Sequence, residues 1–167
     1  FTIMERRVVI TGLGVVSPVG NGKEEFWNNL LAGKPGVGPI TQFDATDFPV
    51  KIAGEVKDFD PVALAGDRKT VRHMDRYTQF AVAAAKMAVA DAKLDMTKEN
   101  PDMAGTLIGT GIGGIHGMED TILQNEKKGP GKVNPFAIPI MNAKMGSGQT
   151  CSLNTLKTPT NTPDENH

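Results

Sequence analysis

The sequence has 167 residues, which is long enough for one domain with a hydrophobic core and too short for two large ones. Hydrophobic residues make up 39% of it and the formal net charge is −1, which excludes a general attraction to nucleic acid or to an acidic membrane. The single cysteine, Cys151, excludes an internal disulfide and favours a reducing, cytoplasmic location.

Several classes of site and location have no sequence signal. No apolar run reaches the roughly 18 residues that a membrane-spanning helix needs, and the first residues lack the pattern of a secretory signal. Histidine, cysteine and carboxylate residues do not cluster at metal-ligand spacing. We therefore expect no membrane, nucleic-acid, metal or cofactor partner. Met4 is the expected natural start, so the assigned domain begins there.

The first element is an apolar, β-branched run at Val8–Thr11. It leads into glycines at positions 12 and 14 and then into Ser17-Pro18, which interrupts any helix. This pattern predicts a buried strand, followed by a loop whose backbone lies close to another part of the protein.

Two helices follow in the first two thirds of the chain. The first is predicted over Lys23–Ala32, with Gly33 as the residue that ends it, because acidic residues lie in its first turn and apolar residues recur four apart. Proline-rich sequence with a weak strand signal at Lys51–Val56 separates it from the second helix. That helix is predicted over about Lys69–Ala92, and its alanine-rich half should pack closely against neighbouring backbone.

The last third alternates glycine-rich turns with short elements. Thr106–Ile108 predicts a second strand, and Ile115–Asn125 predicts a helix after a glycine loop. We interpret Lys127–Lys132 as a surface turn. Val133–Met141 is apolar but contains two prolines, so it is predicted to be neither an ordinary helix nor a central strand. Residues 150–167 are polar and are predicted to be disordered.

The glycine loop Gly109–Gly114 satisfies the pattern G-x-G-x-x-G between a predicted strand and a predicted helix. One interpretation is an NAD(P)-binding domain, in which a nucleotide raises the melting temperature. That unit also requires a second strand ending in an acidic residue about 20 residues later, where this chain has a Lys/Gly/Pro turn. The other interpretation is a turn in which glycine permits tight packing, and we favour it.

A series of motifs in this order resembles the β-ketoacyl-acyl-carrier-protein synthases, the condensing enzymes of fatty-acid synthesis. The matching positions are Gly12–Gly14, Ser17–Gly20, Trp27, Leu30–Gly33, Arg72–Arg76, the loop 109–114, Asn134–Phe136, Pro139, Asn142 and Gly148–Gln149. The resemblance implies an α/β, thiolase-like fold, present as an incomplete N-terminal half with a mixed sheet and packed helices over residues 4–149. Residues 150–167 are the unmatched tail.

The resemblance also implies an activity and partners. Such enzymes hold an acyl group as a thioester on a cysteine, and two histidines assist the decarboxylation of malonyl-acyl-carrier protein, whose carbanion attacks the thioester. Acyl carrier protein is the implied partner, and the intact family forms homodimers. Cys151 lies too early to be that cysteine, and His73, His116 and His167 match neither histidine. Surface positions explain His73, at a helix start, and His116, beside the glycine loop. We therefore assign no catalytic residue and expect no condensation by this chain alone.

Two binding roles carry over from the family. Ile112 and Phe136 correspond to positions beside the acyl-chain channel, although ordinary buried packing would also explain them. Arg68, Lys69 and Arg72 form the best candidate for docking the acidic carrier protein, although a solvated helix start would explain these charges too. The alternative function is a non-catalytic partner subunit that binds the carrier or dimerises. In either case, apolar surface such as Val8–Ile10 should be exposed in the chain on its own.

Overall fold

A computed structural model describes residues 7–142 and 144–153. Among these residues, the longest helix spans Arg76–Asp91, and two small strand pairs lie in the N-terminal part of the chain. The elements are β1 (Val16–Ser17), β2 (Gly20–Asn21), α1 (Lys23–Leu31), β3 (Gly38–Pro39), β4 (Ile52–Ala53), α2 (Pro61–Leu64), α3 (Arg68–Val71), α4 (Arg76–Asp91), α5 (Ile115–Lys128), α6 (Ala137–Met141) and α7 (Met145–Leu153).

The strand pairs are both antiparallel. β1 pairs with β2, with Val16 opposite Asn21, and β3 pairs with β4, with Gly38 opposite Ala53. The strand predicted at Val8–Thr11 does not form, and Val8 is 93% exposed. The strand predicted at Thr106–Ile108 is reduced to a single bridge residue. Both predictions were wrong because a strand needs a neighbouring strand, and the described residues do not supply one.

Helix α1 confirms the predicted start and stop signals. It ends at Leu31, and Gly33 takes the left-handed conformation, with φ of +64°. The Gly33 N–H donates to the Leu30 carbonyl and the Lys34 N–H donates to the Asn29 carbonyl, each at 3.0 Å. These two bonds satisfy carbonyls that the end of a helix leaves unpaired, and glycine is the residue that adopts this turn without steric cost.

The helix predicted over Lys69–Ala92 is two helices, so this prediction was wrong in its continuity. α3 ends at Val71 and α4 begins at Arg76, with Asp75 as its N-terminal cap. An aspartate at this position competes for the backbone N–H groups of the first turn, which favours a helix start over a helix interior.

Helix α4 packs closely against the N-terminal segment, as its alanine content predicts. A Cβ added to Gly14 would lie 1.8 Å from the Ala84 carbonyl oxygen, and one added to Gly12 would lie 2.2 Å from the Ala88 carbonyl oxygen. The expectation that this glycine turn presses against other backbone is therefore confirmed. Asp91, at the end of α4, adds a polar anchor by accepting hydrogen bonds from Lys23 and from the Leu13 N–H.

The anchor at Asp91 depends on pH. The hydrogen bond from Lys23 holds the pKa of Asp91 below its usual range, and the Leu13 N–H adds to this effect. A carboxylate whose pKa is lowered by folding stabilises the fold above its ordinary pKa and loses that contribution as the pH falls. The anchor therefore acts at neutral pH and is lost in acid.

The C-terminal helices differ from prediction. α5 is confirmed but continues to Lys128, so Lys127 and Lys128 belong to a helix and not to a surface turn. α6 forms within the segment predicted to be irregular, because its proline, Pro139, lies in the first turn, where a missing N–H costs little.

Helix α7 extends through Thr150–Leu153, so the prediction that these residues belong to a disordered tail was wrong. Thr150 and Cys151 are buried there, in a helix that packs on α4. The rest of the tail, residues 154–167, lies outside the described residues.

The apolar core lies between α2, α3, α4 and β1. Its fully buried members are small or medium in size, and larger side chains pack around them. The buried set is Ala65, Val71, Met74, Val82 and Ala83, with Val16, Phe59, Leu64 and Met87 partly buried against it. This core fixes the position of α3 and of the turn before α4, where the candidate docking residues lie.

Candidate functional site

The three cations predicted to dock a carrier protein lie together on the surface. Arg68 and Lys69 form the start of α3 and Arg72 follows its end, and all three side chains belong to exposed residues. We call these three residues the basic patch. Asp67 caps α3, and the Thr70 N–H at 2.8 Å from its carboxylate holds the pKa of Asp67 below its usual range. The exposed part of this segment therefore carries three cations and one carboxylate.

Asp75, the second acid in this segment, is removed from the surface. It is 7% exposed, and its carboxylate accepts hydrogen bonds from the Tyr77 N–H at 3.5 Å and the Gly117 N–H at 2.9 Å. One oxygen therefore caps α4 while the other holds α5 against it. Because the Asp75 carboxylate is buried and hydrogen-bonded, it reduces the positive charge of the basic patch less than its place in the sequence implies.

Arg76 does not belong to the basic patch. It is half-buried, donates from Nη2 to the Val56 carbonyl at 3.2 Å, and lies 4.9 Å from the centre of the Phe80 ring. A cation over an aromatic face and bonded to a backbone carbonyl has a structural role in holding the loop before α2. Within residues 67–76, the cations available to an approaching partner are therefore the three that lie on or beside α3.

Phe136, one of the two predicted channel residues, lies beside the basic patch. Its ring centre is 4.7 Å from that of His73, which directly follows Arg72, and Phe136 is 50% exposed. The His73 Nδ1 atom is buried and has no hydrogen-bond partner among the described residues. The expectation that a surface position explains His73 was therefore wrong, because its ring packs between α3 and the residue before α6.

Ile112, the other predicted channel residue, lies in the glycine loop and is 72% exposed. The structure gives no direct contact between Ile112 and Phe136, but both of their segments reach α6. The Gly114 N–H donates to the Met141 carbonyl at 3.2 Å, and Phe136 directly precedes α6. Neither residue has the full burial that ordinary core packing requires.

Two glycines of the loop are explained by geometry. Gly113 has φ of +74°, which favours glycine, and a Cβ on Gly114 would lie 2.7 Å from the Ile140 carbonyl oxygen. Gly109 and Gly111 have open space around them. The close contacts at Gly114 support a packing role for the end of this loop, which is the interpretation favoured from the sequence.

A polar cavity of about 390 Å³ lies between α5, α6 and Arg72, the one residue of the basic patch that lines it. Its lining includes Arg72, Asp75, His116, Asn134 and Ile140. His116 is exposed on α5 and lies 3.8 Å from Asp120, so its predicted surface position is confirmed. The cavity places Arg72, the start of α4 and the segment before α6 on one side of the molecule.

Other chemistry is absent from the part of the chain that the structure describes. Within residues 7–142 and 144–153, no group of histidine, cysteine and carboxylate side chains is arranged to hold a metal ion. No helix formed by those residues is long and apolar enough to cross a membrane. The thiol of Cys151 is buried in α7, which does not favour reaction with a substrate.

Sequence reasoning missed two residues of this region. Asp75 had a local signal, because an aspartate before an apolar helical run is typical of an N-terminal cap. Its bond to Gly117, 42 residues away, had no such signal. The packing of His73 on Phe136 is likewise a tertiary contact between segments that are distant in sequence.

The chain matches one family model and curated proteins that share one name. The family model described as the N-terminal domain of beta-ketoacyl synthase matches residues 5–164, which continues past Gln149, where the motif resemblance stops. A protein of Synechocystis named 3-oxoacyl-acyl-carrier-protein synthase 2 is 49% identical over 148 residues, covering 87% of this chain and 35% of that protein. The protein of the same name from Coxiella burnetii is 48% identical, covering 93% of this chain and 37% of the relative.

Solved structures agree with this fold. The ishigamide ketosynthase/chain length factor has a TM-score of 0.84 and 35% identity, covering 94% of this chain and 39% of that one. A beta-ketoacyl synthase from Burkholderia phymatum has a TM-score of 0.72 at 24% identity, covering 93% of this chain and 38% of the other, which supports the fold alone. The predicted thiolase-like fold class is confirmed. The chain spans about a third of the length of the curated relatives it matches.

Proposed function

The chain belongs to the beta-ketoacyl synthase family through its N-terminal domain, and we propose that it is the carrier-docking and acyl-channel part of a 3-oxoacyl-acyl-carrier-protein synthase. The complete enzyme is an acyltransferase that elongates fatty acids. The acyl group is held as a thioester on cysteine, malonyl-carrier protein loses carbon dioxide, and the carbanion displaces the thiolate. We assign no residue of this chain to that catalytic step.

The observation that supports carrier docking is the isolation of the basic patch. Arg68, Lys69 and Arg72 are exposed on one short segment, whereas the nearby Asp75 is buried and bonded to backbone N–H groups. A compact positive surface attracts an acidic partner and raises the rate of association. The relatives' name includes the acyl carrier protein, which is the acidic partner proposed for this surface.

The proposed contact with the acyl chain involves two apolar residues near the basic patch. Phe136 and Ile112 are large, apolar and exposed, at 50% and 72% of their surface. Phe136 contacts His73, which adjoins Arg72, so an acyl group delivered by a docked carrier arrives beside this side chain. We propose that both residues contribute to the wall of an acyl channel that other parts of the enzyme complete, including a second subunit of a cytoplasmic homodimer.

Reversing the charge of the basic patch tests the docking proposal. The triple variant Arg68→Glu, Lys69→Glu, Arg72→Glu should weaken binding of the recombinant Synechocystis acyl carrier protein by about 100-fold or more at low salt, because repulsion replaces attraction at the interface. Binding is measured by fluorescence anisotropy of the labelled carrier, and wild-type affinity should also fall as salt rises.

A charge-matched control separates docking from net charge. The triple variant Lys34→Glu, Lys51→Glu, Lys93→Glu changes the same number of exposed lysine or arginine charges outside the basic patch. We expect it to reduce affinity by less than about tenfold, through long-range electrostatics only. Equal losses in the two triple variants, or no carrier binding by the wild type, would rule out docking at this surface.

A second candidate function is that of a non-catalytic partner subunit. One similar structure is named as a ketosynthase/chain length factor and is 35% identical to this chain. Such a subunit would use the same basic patch and the same apolar residues, and would pair with a separate catalytic chain. The charge-reversal result is expected to be the same for both candidates, whereas a purified complex with a cysteine-bearing subunit would favour this second one.

A further inference from the structure

His73 lies between the basic patch and the apolar core. It directly follows Arg72, and its N–H donates to the Thr70 carbonyl at 3.1 Å. The next residue, Met74, is buried in the core, and its carbonyl accepts a hydrogen bond from the Gln79 amide at 3.1 Å. The backbone is therefore held on both sides of His73, so the imidazole ring has a fixed point of attachment beside an exposed cation.

Phe136 is held by its backbone but not by burial of its side chain. Its N–H donates to Oδ1 of Asn134 at 2.9 Å, and its carbonyl accepts from the Ile140 N–H at 3.0 Å. The residue is nevertheless 50% exposed, so core packing does not select its side-chain rotamer. Its ring lies against the His73 ring, at an interplanar angle of 60°. An edge-to-face aromatic pair of this kind shifts a rotamer equilibrium by about 2- to 10-fold.

The His73 ring carries a buried polar atom that its contact with Phe136 does not use. This atom, Nδ1, has no hydrogen-bond partner among residues 7–142 and 144–153. An unpartnered buried nitrogen lowers stability, and a phenylalanine ring would make the same aromatic contact without that cost. His73→Phe therefore keeps the ring contact, whereas His73→Ala removes it. These two variants separate the orientation of the Phe136 side chain from the identity of the ring that holds it.

We propose that His73 is a positioning residue, whose ring holds the Phe136 side chain in the orientation that meets an acyl chain. Because Arg72 and His73 are consecutive, a docked carrier and the Phe136 ring keep a fixed relation to each other. The preference of the chain for an acylated over an unacylated carrier protein then depends on His73, which acts through Phe136. This inference rests on the proposed function, since Phe136 is the residue proposed to contact the acyl chain.

Nuclear magnetic resonance of the chain alone tests the orientation. The couplings between Hα and Hβ of Phe136 report its χ1 angle, and they should show one dominant rotamer in the wild type and in His73→Phe. In His73→Ala, the population of that rotamer relative to the others should fall by about 2- to 10-fold, because the aromatic contact is lost. His116→Ala removes an exposed histidine of α5 and is the matched control, which should leave the couplings unchanged.

Carrier binding tests the consequence for acyl recognition. The affinities for the unacylated and the decanoyl Synechocystis carrier protein are measured by fluorescence anisotropy, and their ratio is compared between variants. The wild type should prefer the decanoyl form by at least about threefold, since burial of even one methylene group supplies this much. His73→Phe should keep this ratio, and His73→Ala should lower it to about one. Phe136→Ala should match His73→Ala, and the double variant should lower the ratio no further, because both substitutions act through one side chain.

The two readouts separate failure of this inference from failure of the proposed function. A Phe136 rotamer that is averaged in the wild type, or unchanged in His73→Ala, would overturn the role of His73 whatever the carrier does. A carrier that binds without acyl preference, or with a preference that His73→Ala retains, would also overturn it. An oriented Phe136 ring that depends on His73, with no carrier binding by the wild type, would refute the proposed function and leave His73 as the residue that orients Phe136.

Discussion

Replacing Gly14 by alanine should destabilise the fold by about 3 kcal/mol, at the upper end of the usual cost of overpacking. The added Cβ would lie 1.8 Å from the Ala84 carbonyl oxygen and 2.8 Å from the Ala88 nitrogen. Both contacts are with helix backbone, which does not move aside as a flexible side chain does. The N-terminal segment must therefore separate from α4, and the urea midpoint of the far-ultraviolet circular dichroism signal should fall.

The control for this substitution is Gly109→Ala. No atom lies within 4 Å of a Cβ added at Gly109, and its φ is outside the range that favours glycine. We expect a change within about 1 kcal/mol, with a small stabilisation because alanine restricts the unfolded chain more than glycine does. A Gly14→Ala midpoint equal to that of Gly109→Ala would show that the N-terminal segment does not pack on α4 as described.

Replacing Asp75 by alanine should lower stability by about 2 to 5 kcal/mol. The substitution removes an N-terminal cap, which contributes about 0.5 to 2 kcal/mol, and a charged hydrogen bond, which contributes about 1.5 to 3 kcal/mol. The Gly117 N–H is left without its partner at the α4–α5 contact. The same urea experiment measures the loss, and faster hydrogen exchange at Gly117 locates it.

Asp67→Ala is the matched control for Asp75. Asp67 caps the four-residue helix α3 from an exposed position and has no bond to another helix within residues 7–142 and 144–153. We expect a loss of about 0.5 to 1 kcal/mol, at the low end of the range for a helix cap. If the two variants lose the same stability, the bond between Asp75 and α5 contributes nothing measurable.

The sequence was most informative where structure depends on neighbouring residues. α1 ends at Leu31 because Gly33 adopts the left-handed turn, and the pattern of that helix end was visible directly. α5 was also predicted, apart from its last three residues. Gly12 and Gly14 predicted one close backbone contact and the alanines of α4 predicted another, and the structure shows that these two segments contact each other.

The sequence was misleading where structure depends on distant partners. Val8–Thr11 has strand propensity, but strand formation requires a neighbour that the described residues do not provide. α7 contains Gly146 and Gly148, which disfavour a helix, yet packing on α4 stabilises it. Propensity is a weak term, and burial against another element outweighs it.

In the candidate site, too, features set by neighbouring residues were predictable and features set by distant residues were not. Exposure of Arg68, Lys69 and Arg72 follows from their charge and from the short helix that carries them. The burial of Asp75 and the packing of His73 on Phe136 join segments that are far apart in sequence. These contacts decide which charges face a partner and which apolar side chain lies beside them, and only the folded chain shows them.

Native mass spectrometry of the chain with acyl- and malonyl-carrier protein tests the central claim, which is carrier binding without condensation. We predict a non-covalent complex with each carrier, no acyl adduct on the chain and no 3-oxoacyl product. Cys151 is the only thiol of the chain, so an adduct that forms on the wild type and is absent from Cys151→Ser would identify it as a nucleophile. Such an adduct, a condensation product, or the absence of any carrier complex would contradict the claim.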